Sequence, residues 1–344
     1  MILGDKMKKV TSYIKNLIRE EYKFLIFLIL LYCILQIRVN YYIIVGGGTS
    51  DVSSRIEVVD SYKSKGSFNI SYVTELEKAN LITYLLSYVI PSWEREDANL
   101  YKYSTTESLE DIQFRSDLDL QTANGNATYW AYTLANKEVQ ETNVEIYVIT
   151  VFPGYESPLK VGDKILSMDN QHYSTIEEYK SYLQTKKDQE RVTIKVLRKN
   201  KEIELTPTLT EQEGKRVLGV GLQIVRSYET NPPVQIHFKS TESGPSGGLI
   251  TTLEIYNQLT KKDLTKGLKI AGTGTIEADG TIGQIGGIEH KLLGAEDDHT
   301  DIFLSPSGDN YKAALKYQKE KKLKLKIIEV KTIEDAIQKL ETLK

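Results

Sequence analysis

The stretch FLIFLILLYCILQI at residues 24–37 constrains this chain most, because an apolar run of that length must be removed from water. The segment before it is basic: lysine and arginine outnumber acidic residues there. That order is typical of a segment that enters a membrane and leaves its amino terminus in the cytoplasm. The basic residues are Lys6, Lys8, Lys9, Lys15, Arg19 and Lys23, against Asp5, Glu20 and Glu21.

Two interpretations of the apolar stretch compete. It is shorter than the roughly 20 residues that span hydrocarbon, and runs of this length also form the core of cleaved signal peptides. A retained anchor is favoured because Lys23 and Arg38 can snorkel from either end, YYIIV at 41–45 prolongs the apolar character, and no A-x-A cleavage site follows. We therefore predict a cytoplasmic basic tail at 1–23, a single-pass transmembrane anchor in the cell membrane at 24–45, and an extracellular remainder.

Charge and composition exclude several kinds of partner. The net charge of -3 at pH 7, with lysines scattered among acids, provides no basic field for a nucleic acid. Cys33 is the single cysteine, so neither a disulfide framework nor a thiolate metal site can form. The sequence also lacks a G-x-x-x-x-G-K-[ST] phosphate loop and a complete dinucleotide fingerprint. We therefore expect no nucleic acid, no metal, no ATP and no other cofactor.

Residues 49–142 are predicted to form an extracytoplasmic α/β region without catalytic residues. SRIEVVD and GSFNISYV alternate as half-buried strands do, and YVTELEKANLITYLLSYVI has helical spacing up to Pro91. STTE at 104–107 is a capping-box pattern that would begin a long helix toward Ala135. Asn126-Ala127-Thr128 fits a glycosylation sequon, but a motif of such low specificity is better explained by chance.

Residues 143–210 consist of short β-rich runs around one helix, from NVEIYVITV to KEIELTPTL, which predicts a small barrel. The segment resembles a bacterial PDZ domain, a module in which a peptide adds as a strand between an edge strand and a helix. That resemblance implies that Ile146, Tyr147 and Val148 line the peptide groove, opposite the helix at 174–184.

The pattern departs from most PDZ domains just before that strand. Asn143, Val144 and Glu145 stand where a glycine-rich loop would hold a peptide carboxylate, and Glu145 would repel the carboxylate if it pointed inward. Three functions of the module are therefore left open: capture of a peptide carboxy terminus, capture of an internal segment, and packing without any ligand.

Alternating strand and helix patterns from residue 216 onward predict one compact α/β domain over 216–344. GPSGG at 244–248 precedes the helical pattern LITTLEIYNQLT, so Ser246 is a candidate helix cap or a candidate nucleophile. The glycines would let a substrate approach closely, and the free N–H groups of a helix start would face it. By itself the motif favours the cap, because serine is among the commonest cap residues.

A nucleophilic serine needs a base, and the sequence offers two kinds of candidate. The 4 histidines form no triad signature, and His237 alternates with apolar neighbours as a structural residue would. Lys291 lies beside the buried stripe of Ile288, Leu292 and Ala295, where desolvation can lower the pKa of an amine enough for it to act as a base. Most helical lysines are solvated, so this spacing alone does not decide.

Two motifs in the same order resemble those of the proteolytic domain of Lon-type proteases. GPSGG matches the G-P-S-A-G around their nucleophile, and TGTIEADGTIGQIGGIEHK follows the spacing of their second signature, T-G-E-I, I-G-G and K-E-K. The resemblance implies a Ser-Lys dyad with Ser246 as nucleophile and Lys291 as base. It also implies that Thr273 orients the lysine and that backbone N–H groups near Gly244 and Ser246 hold the oxyanion.

This resemblance covers residues 217–343 and has two departures. Ser243 stands where Lon proteases commonly have an acid, so no acidic role is carried over, and Gly247 replaces alanine. With no phosphate loop in the sequence, ATP-driven unfolding of substrates is not expected.

The order of segments resembles the membrane-anchored PDZ-Lon proteases of Gram-positive bacteria, some of which trim exported peptide pheromones. It implies an α+β multidomain chain with an N-terminal transmembrane helix, an extracytoplasmic α/β region, a PDZ-like β-barrel and a Lon-type proteolytic α/β domain. The implied activity is ATP-independent cleavage of exported peptides or exposed protein segments outside the cell. A catalytically silent, anchored scaffold that binds peptides is the alternative, and the cleaved bond and the oligomeric state are left open.

Overall fold

The computed structural model describes residues 21–76, 79–104, 107–239 and 242–343. The chain divides into two compact units, each made of two stretches of sequence. The smaller unit comprises Met1–Gly46 and Thr74–Leu100, and the larger unit comprises Gly47–Val73 and Tyr101–Lys344. Two strands, β1 at Tyr41–Asp51 and β3 at Ser67–Leu76, continue from one unit into the other.

The predicted anchor at 24–45 is not one helix. Residues 21–36 are helical (α1), but residues 41–45 begin β1, which pairs with β4 (Glu94–Asp97) in antiparallel register. The predicted extension of the anchor past Arg38 is wrong, because the aromatic and β-branched residues of YYIIV find a strand partner about fifty residues later in the chain. No helix within the described ranges is both long enough and apolar enough to cross a membrane. The tail predicted at 1–23 lies almost entirely outside the described residues.

Besides α1, the described residues of the smaller unit contain the helix α2 (Leu81–Leu86) and a 3-10 turn that begins at Ala98 after β4. Asn80 caps α2 by accepting a hydrogen bond from the Thr83 N–H at 2.8 Å. The helix predicted over 72–90 is therefore much shorter than expected, since the chain remains in β3 up to Leu76.

In the larger unit, the strands of the main sheet have the order β17-β16-β13-β3-β1. The strand β13 (Lys269–Gly272) lies between β3 and β16 (Ile302–Pro306) and is parallel to both, and β17 (Lys326–Val330) is parallel to β16. In this register Lys269 pairs with Ser67. The sheet therefore joins segments from opposite ends of the chain.

Helices cover this sheet and complete its core. The helix α5 (Gly248–Leu259) is buried along most of its length, and its apolar side chains share one core with Phe68 of β3. Two short ribbons are added, β2 with β12 and β14 with β15. The remaining bounds are β2 (Ile56–Val58), β12 (Val234–Ile236), β14 (Thr275–Ile276), β15 (Ile282–Gly283), α3 (Leu109–Leu134), α6 (Ile288–Asp297), α7 (Asp309–Lys321) and α8 (Ile333–Glu341).

The long helix α3 belongs to the same core. Its capping box is Ser108 with Asp111, so the helix starts later than the predicted signal at 104–107. Ala127, Ala131 and Tyr132 on its buried face pack into the core shared with α5. The region expected at 49–142 is therefore not one separate module, because Gly47–Val73 and the chain from Tyr101 onward lie in the larger unit.

A separate five-stranded sheet has the order β11-β5-β6-β7-β8 and is antiparallel throughout. Helix α4 is capped by Thr175 and Glu178, and its buried Tyr179 and Leu183 share an apolar core with the sheet. This barrel-like module extends beyond the expected end at residue 210, because β11 is one of its strands. The bounds are β5 (Glu138–Val151), β6 (Lys164–Met168), α4 (Ile176–Gln184), β7 (Ile194–Arg198), β8 (Lys201–Leu205), β11 (Val220–Asn231) and the hairpin β9 (Thr210–Gln212) with β10 (Lys215–Val217).

Candidate active site

Ser246 lies immediately before α5, but its hydroxyl does not cap that helix. The helix begins at Gly248 with Gly247 as its cap residue, and no side chain makes a capping hydrogen bond. The Ser246 backbone is held from the other side: its carbonyl accepts hydrogen bonds from the Gly274 N–H at 2.8 Å and from Thr273 Oγ1 at 3.2 Å. The helix-cap interpretation of Ser246 is therefore wrong, and its hydroxyl is used elsewhere.

The hydroxyl of Ser246 meets the amine of Lys291. Lys291 projects from α6, where only 3% of the residue is exposed, and its Nζ lies 2.9 Å from Ser246 Oγ. The helix starts at Gly287 in the left-handed region, with φ 65°, a conformation that suits glycine. Burial of an amine disfavours its charged form, and a neutral amine at this distance can accept a hydroxyl proton.

Thr273 connects the lysine to the nucleophile loop. It follows β13, is fully buried, and its Oγ1 accepts a hydrogen bond from Lys291 Nζ at 3.0 Å. The same hydroxyl donates to the Ser246 carbonyl. Thr273 therefore holds the amine on one side and the serine backbone on the other, which fixes the distance between the two reacting groups.

Gly244 does not stand where the resemblance implied. Its φ is 81°, and its N–H donates to the Ser116 carbonyl of α3 at 3.0 Å. That N–H is therefore engaged and does not point at a substrate oxyanion. The N–H groups of Ser246 and Gly247 are better candidates, because the Gly248 N–H donates to the Pro245 carbonyl and the Leu249 N–H to the Gly274 carbonyl, each at 3.1 Å.

The glycine at position 247, where the Lon motif has alanine, packs closely against a strand. A Cβ there would lie 2.8 Å from the Cδ1 atom of Ile70 on β3. At Gly248 a Cβ would lie 2.6 Å from Cγ2 of Ile276 and 2.9 Å from its backbone nitrogen, so a side chain there would displace β14. The nucleophile loop is thus pressed against two strands that come from distant parts of the chain.

The hydrogen bonds that join Ser246, Lys291 and Thr273 do not involve His237, the histidine that alternates with apolar neighbours in the sequence. The side chain of His237 is exposed, and the contact that the residue makes is a hydrogen bond from its backbone N–H to the Arg55 carbonyl. Within the ranges that the structure describes, no cluster of His, Cys, Asp and Glu has the arrangement needed to hold a metal ion.

Sequence reasoning missed two residues that surround the site. Arg55 forms an ion pair with Glu242, four residues before the nucleophile, and so holds the loop that leads to it. Asn126 of α3 donates a hydrogen bond from Nδ2 to the Ile276 carbonyl at 2.8 Å. The only sequence signal at either position was the sequon at Asn126, which pointed to a different role.

The predicted peptide groove at Ile146, Tyr147 and Val148 is not open. Their strand β5 pairs with β11 on one side and with β6 on the other, and the side chains of Ile146 and Val148 are buried in the PDZ core. The prediction that this is an edge strand is wrong, because its partner β11 lies beyond residue 210, where the module was predicted to end. In the described part of the sheet the end strands are β11 and β8.

Glu145 is not an unpaired charge in that strand. It forms an ion pair with Lys164 and accepts a hydrogen bond from the Tyr147 hydroxyl at 2.7 Å. Burial raises the pKa of its carboxyl, but the Lys164 and Tyr147 hydrogen bonds outweigh burial and lower the pKa overall. Burial and the neighbouring carboxylate raise the pKa of Tyr147.

Comparison with known proteins identifies both modules. Residues 132–209 match the family model of the PDZ domain, and residues 223–342 match that of the Lon protease (S16) C-terminal proteolytic domain. No curated protein matches the chain.

Two of the similar solved structures each cover less than a quarter of this chain. The PDZ domain of an SdrC-like protein from Listeria innocua is 28% identical over 23% of this chain and 92% of its own, with a TM-score of 0.22. A solution structure from Geobacillus thermodenitrificans is 29% identical over 22% of this chain and 94% of its own, with a TM-score of 0.21. From the two family matches, the chain contains a PDZ domain followed by a Lon protease C-terminal proteolytic domain, which supports a serine peptidase.

Proposed function

We propose that this protein is an ATP-independent serine endopeptidase in which Ser246 is the nucleophile and Lys291 the general base. The observation that carries the proposal is the 2.9 Å distance between Nζ of the buried Lys291 and Oγ of Ser246. Thr273 Oγ1 is hydrogen-bonded to both residues. The match of 223–342 to a Lon proteolytic domain supports the same chemistry.

The proposed reaction proceeds in two halves. In the first, Ser246 Oγ attacks the peptide carbonyl while its proton passes to the neutral Nζ of Lys291, and the resulting ammonium then protonates the leaving amine as the C–N bond breaks. In the second, water loses a proton to the same amine as its oxygen attacks the acyl carbonyl, and the ammonium returns that proton to Ser246 Oγ as the ester C–O bond breaks and the acid product leaves. The backbone N–H groups of Ser246 and Gly247 would stabilise the oxyanion in both halves.

The experiment that tests this proposal is intact-mass analysis of the purified chain after treatment with a fluorophosphonate probe. We expect one adduct on the wild type and none on Ser246→Ala. Ser243→Ala is the matched control, because this exposed serine lies in the same loop and should leave labelling unchanged. Lys291→Arg should also fail to react, because a guanidinium does not release its proton near neutral pH.

Two outcomes would contradict the chemistry. Equal labelling of the wild type and Ser246→Ala would place the nucleophile elsewhere. A wild type that is folded but unlabelled, with no cleavage of fluorescein-labelled casein, would favour the alternative of a catalytically silent peptide-binding scaffold.

Peptide capture by the PDZ domain is a second function that one observation favours. β11 is an end strand of its sheet and carries half-buried Leu222 and Ile224, which pack against the PDZ core beside α4. A substrate segment that adds to β11 would explain how a peptidase without an ATP-driven motor selects its substrates. Leu222→Glu should then raise the KM for casein and leave the fluorophosphonate labelling rate unchanged, whereas an unchanged KM would argue against capture at β11.

Location and substrate are also part of the proposal. The apolar α1 exposes large side chains, with Phe24 56% and Ile29 61% accessible, and the sequence before it is basic. These features support attachment to a membrane and action on exported peptides, such as a pheromone, outside the cell. Carbonate extraction of cells should leave the full chain in the membrane fraction and release a variant without residues 1–37. Release of both would contradict the location without affecting the chemistry.

A further inference from the structure

Helix α3 reaches the candidate active site although most of it precedes both segments that match known domains. Its Ser116 carbonyl accepts the Gly244 N–H, two residues before the nucleophile. About four turns further along the helix, Trp130 Nε1 donates to the Ala278 carbonyl at 3.3 Å. α3 therefore contacts the two loops that carry Ser246 and the β14–β15 hairpin.

Asn126 makes the most direct of these contacts. Its side chain is half-buried, and Nδ2 donates to the Ile276 carbonyl at 2.8 Å, across 150 positions of sequence. The strand that receives this bond is only two residues long and pairs with the equally short β15. So short a ribbon is weakly held by its own ladder, and a bond from a rigid helix is a large part of what fixes it.

The backbone that Asn126 holds is the same backbone that positions the nucleophile. Two residues before Ile276, the Gly274 N–H donates to the Ser246 carbonyl at 2.8 Å, and the Gly274 carbonyl accepts the Leu249 N–H at 3.1 Å. Thr273, the residue before Gly274, is hydrogen-bonded to both Ser246 and Lys291. A shift of Ile276 would therefore move Gly274 and Thr273, and with them the distance between the serine and the lysine.

We propose that Asn126 is a positioning residue of the Ser246–Lys291 site, which it holds in reacting geometry through the hydrogen bond to the Ile276 carbonyl. The inference rests on the proposed function, because it concerns the same pair of side chains. It also assigns to Asn126 a role that excludes a glycan, since the Nδ2 atom that would carry the sugar is directed at the hairpin.

The experiment compares Asn126→Ala and Asn126→Asp with the wild type. Asn126→Asp keeps the shape of the side chain but presents an acceptor to the Ile276 carbonyl, so it should act at least as strongly as alanine. The matched control is Asn124→Ala, on the same helix and similarly half-buried, because residues two positions apart point to different sides of a helix. Each protein is treated with the fluorophosphonate probe, and both the rate constant and the final extent of labelling are measured.

We expect complete labelling in all four proteins, with a rate constant at least about tenfold lower in both Asn126 variants and within about twofold of the wild type in Asn124→Ala. A merely structural role would instead reduce the final extent of labelling and leave the rate of the folded fraction unchanged. Either that result or unchanged rates in the Asn126 variants would overturn the inference.

A second measurement separates this inference from the proposed function. If the wild type is not labelled at all, the proposed function fails, and hydrogen exchange of the peptide that covers 272–276 then tests Asn126 by itself. Faster exchange in Asn126→Ala than in Asn124→Ala would support a positioning role for Asn126 on the hairpin. Equal exchange in the two variants would overturn it.

Discussion

The PDZ domain and the proteolytic domain are built in opposite ways. In the PDZ sheet, β5, β6, β7 and β8 follow one another in sequence and in space, and each neighbouring pair is antiparallel. In the proteolytic sheet, β13 pairs in parallel with β3, a strand that precedes the whole PDZ domain. The first domain is therefore close to a continuous segment, whereas the second takes strands and a helix from before the PDZ domain.

This difference shows that the segment matched by a family model can be shorter than the set of segments that fold together as the domain. The match at 223–342 contains the two motifs and both reacting residues. It does not contain β3, whose Phe68 is fully buried in the same core as α5, or α3, which holds the nucleophile loop through Ser116. The PDZ domain is in effect inserted into the proteolytic domain after α3.

The largest expected effect comes from expressing the two domains separately. A fragment of residues 137–231 contains all five strands of the PDZ sheet and should unfold in one cooperative thermal transition. A fragment of residues 216–344 lacks β3, one of the two strands that pair with β13, and should show none, since loss of a buried aromatic side chain such as Phe68 alone costs about 3 to 5 kcal/mol. Thermal unfolding followed by circular dichroism checks both. A cooperative transition in the second fragment would show that the proteolytic domain folds without β3 and α3.

The next largest effect concerns the ion pair in the PDZ domain between Arg198 and the fully buried Asp163. Arg198→Ala would leave that carboxylate buried without its partner and should destabilise the PDZ domain by about 3 kcal/mol. Chemical denaturation of fragment 137–231 measures the change. The control is Arg226→Ala in the same sheet, whose pair with Glu141 is exposed and should contribute less than about 1 kcal/mol. Equal losses in the two variants would show that burial of the pair is unimportant.

The proteolytic domain has a buried acid, Glu254, that is hydrogen-bonded to a glutamine, whereas the buried acid Asp163 of the PDZ domain is paired with an arginine. Burial raises the pKa of Glu254 on α5 to about 7, against 4.5 in an unfolded chain, and Gln258 donates to its Oε1 at 2.7 Å. Because the folded state retains the proton to higher pH, stability due to this residue is complete below pH 4.5 and is lost as the pH rises through 7. Glu254→Gln stays neutral, so it should be more stable than the wild type by up to about 3 kcal/mol at pH 8 and nearly equal to it at pH 4.

Unfolding midpoints of the full chain at both pH values test this prediction. A difference between the wild type and Glu254→Gln that does not change with pH would mean that Glu254 does not titrate in this range. Asp51 and Asp263 add to the rise in the pKa, so Asp263→Asn should shift the transition to lower pH.

The smallest expected effect on stability concerns an exposed ion pair of the proteolytic domain. Lys312 and Asp309 form an ion pair on α7 with side-chain exposures of 78% and 95%. Lys312→Ala should change the free energy of unfolding by less than about 0.5 kcal/mol, because water and salt screen an exposed pair. A loss as large as that of Arg198→Ala would show that exposure is a poor guide to the strength of ion pairs in this protein.

Local patterns in the sequence predicted the elements that depend on local interactions. The helices at 176–184 and 248–259 and the strands of the PDZ sheet appeared as periodic runs between turn residues. The capping box of α3 was misplaced by four residues, because several Ser, Thr, Glu and Asp residues there fit the same pattern. The YYIIV segment was assigned to the anchor because its apolar character suits a membrane as well as a buried strand.

The candidate site divides in the same way. The motifs pointed to Ser246, Lys291 and Thr273, and the structure brings these three side chains within hydrogen-bond distance. The role of Ser116 could not be found, because it contacts the site through its backbone carbonyl, a group that every residue carries. The role of Asn126 could not be found either, because its side-chain Nδ2 donates to a backbone carbonyl 150 positions away. The PDZ edge was assigned to β5 because the partner strand β11 lies on the far side of two hairpins.

The sequence by itself determined the chemistry available to this protein: a serine after a glycine-rich turn, a lysine on an apolar helix face, no phosphate loop and no basic field. It also determined the short-range elements, since helix caps, turns and alternating strands depend on neighbours within a few positions. Only the tertiary structure decided which strands pair, which strands lie at the ends of a sheet, and that α3 and β3 share the core of the proteolytic domain. Those outcomes depend on contacts between residues far apart in the chain, where many partners fit the same local pattern and only the packing of the whole core selects one.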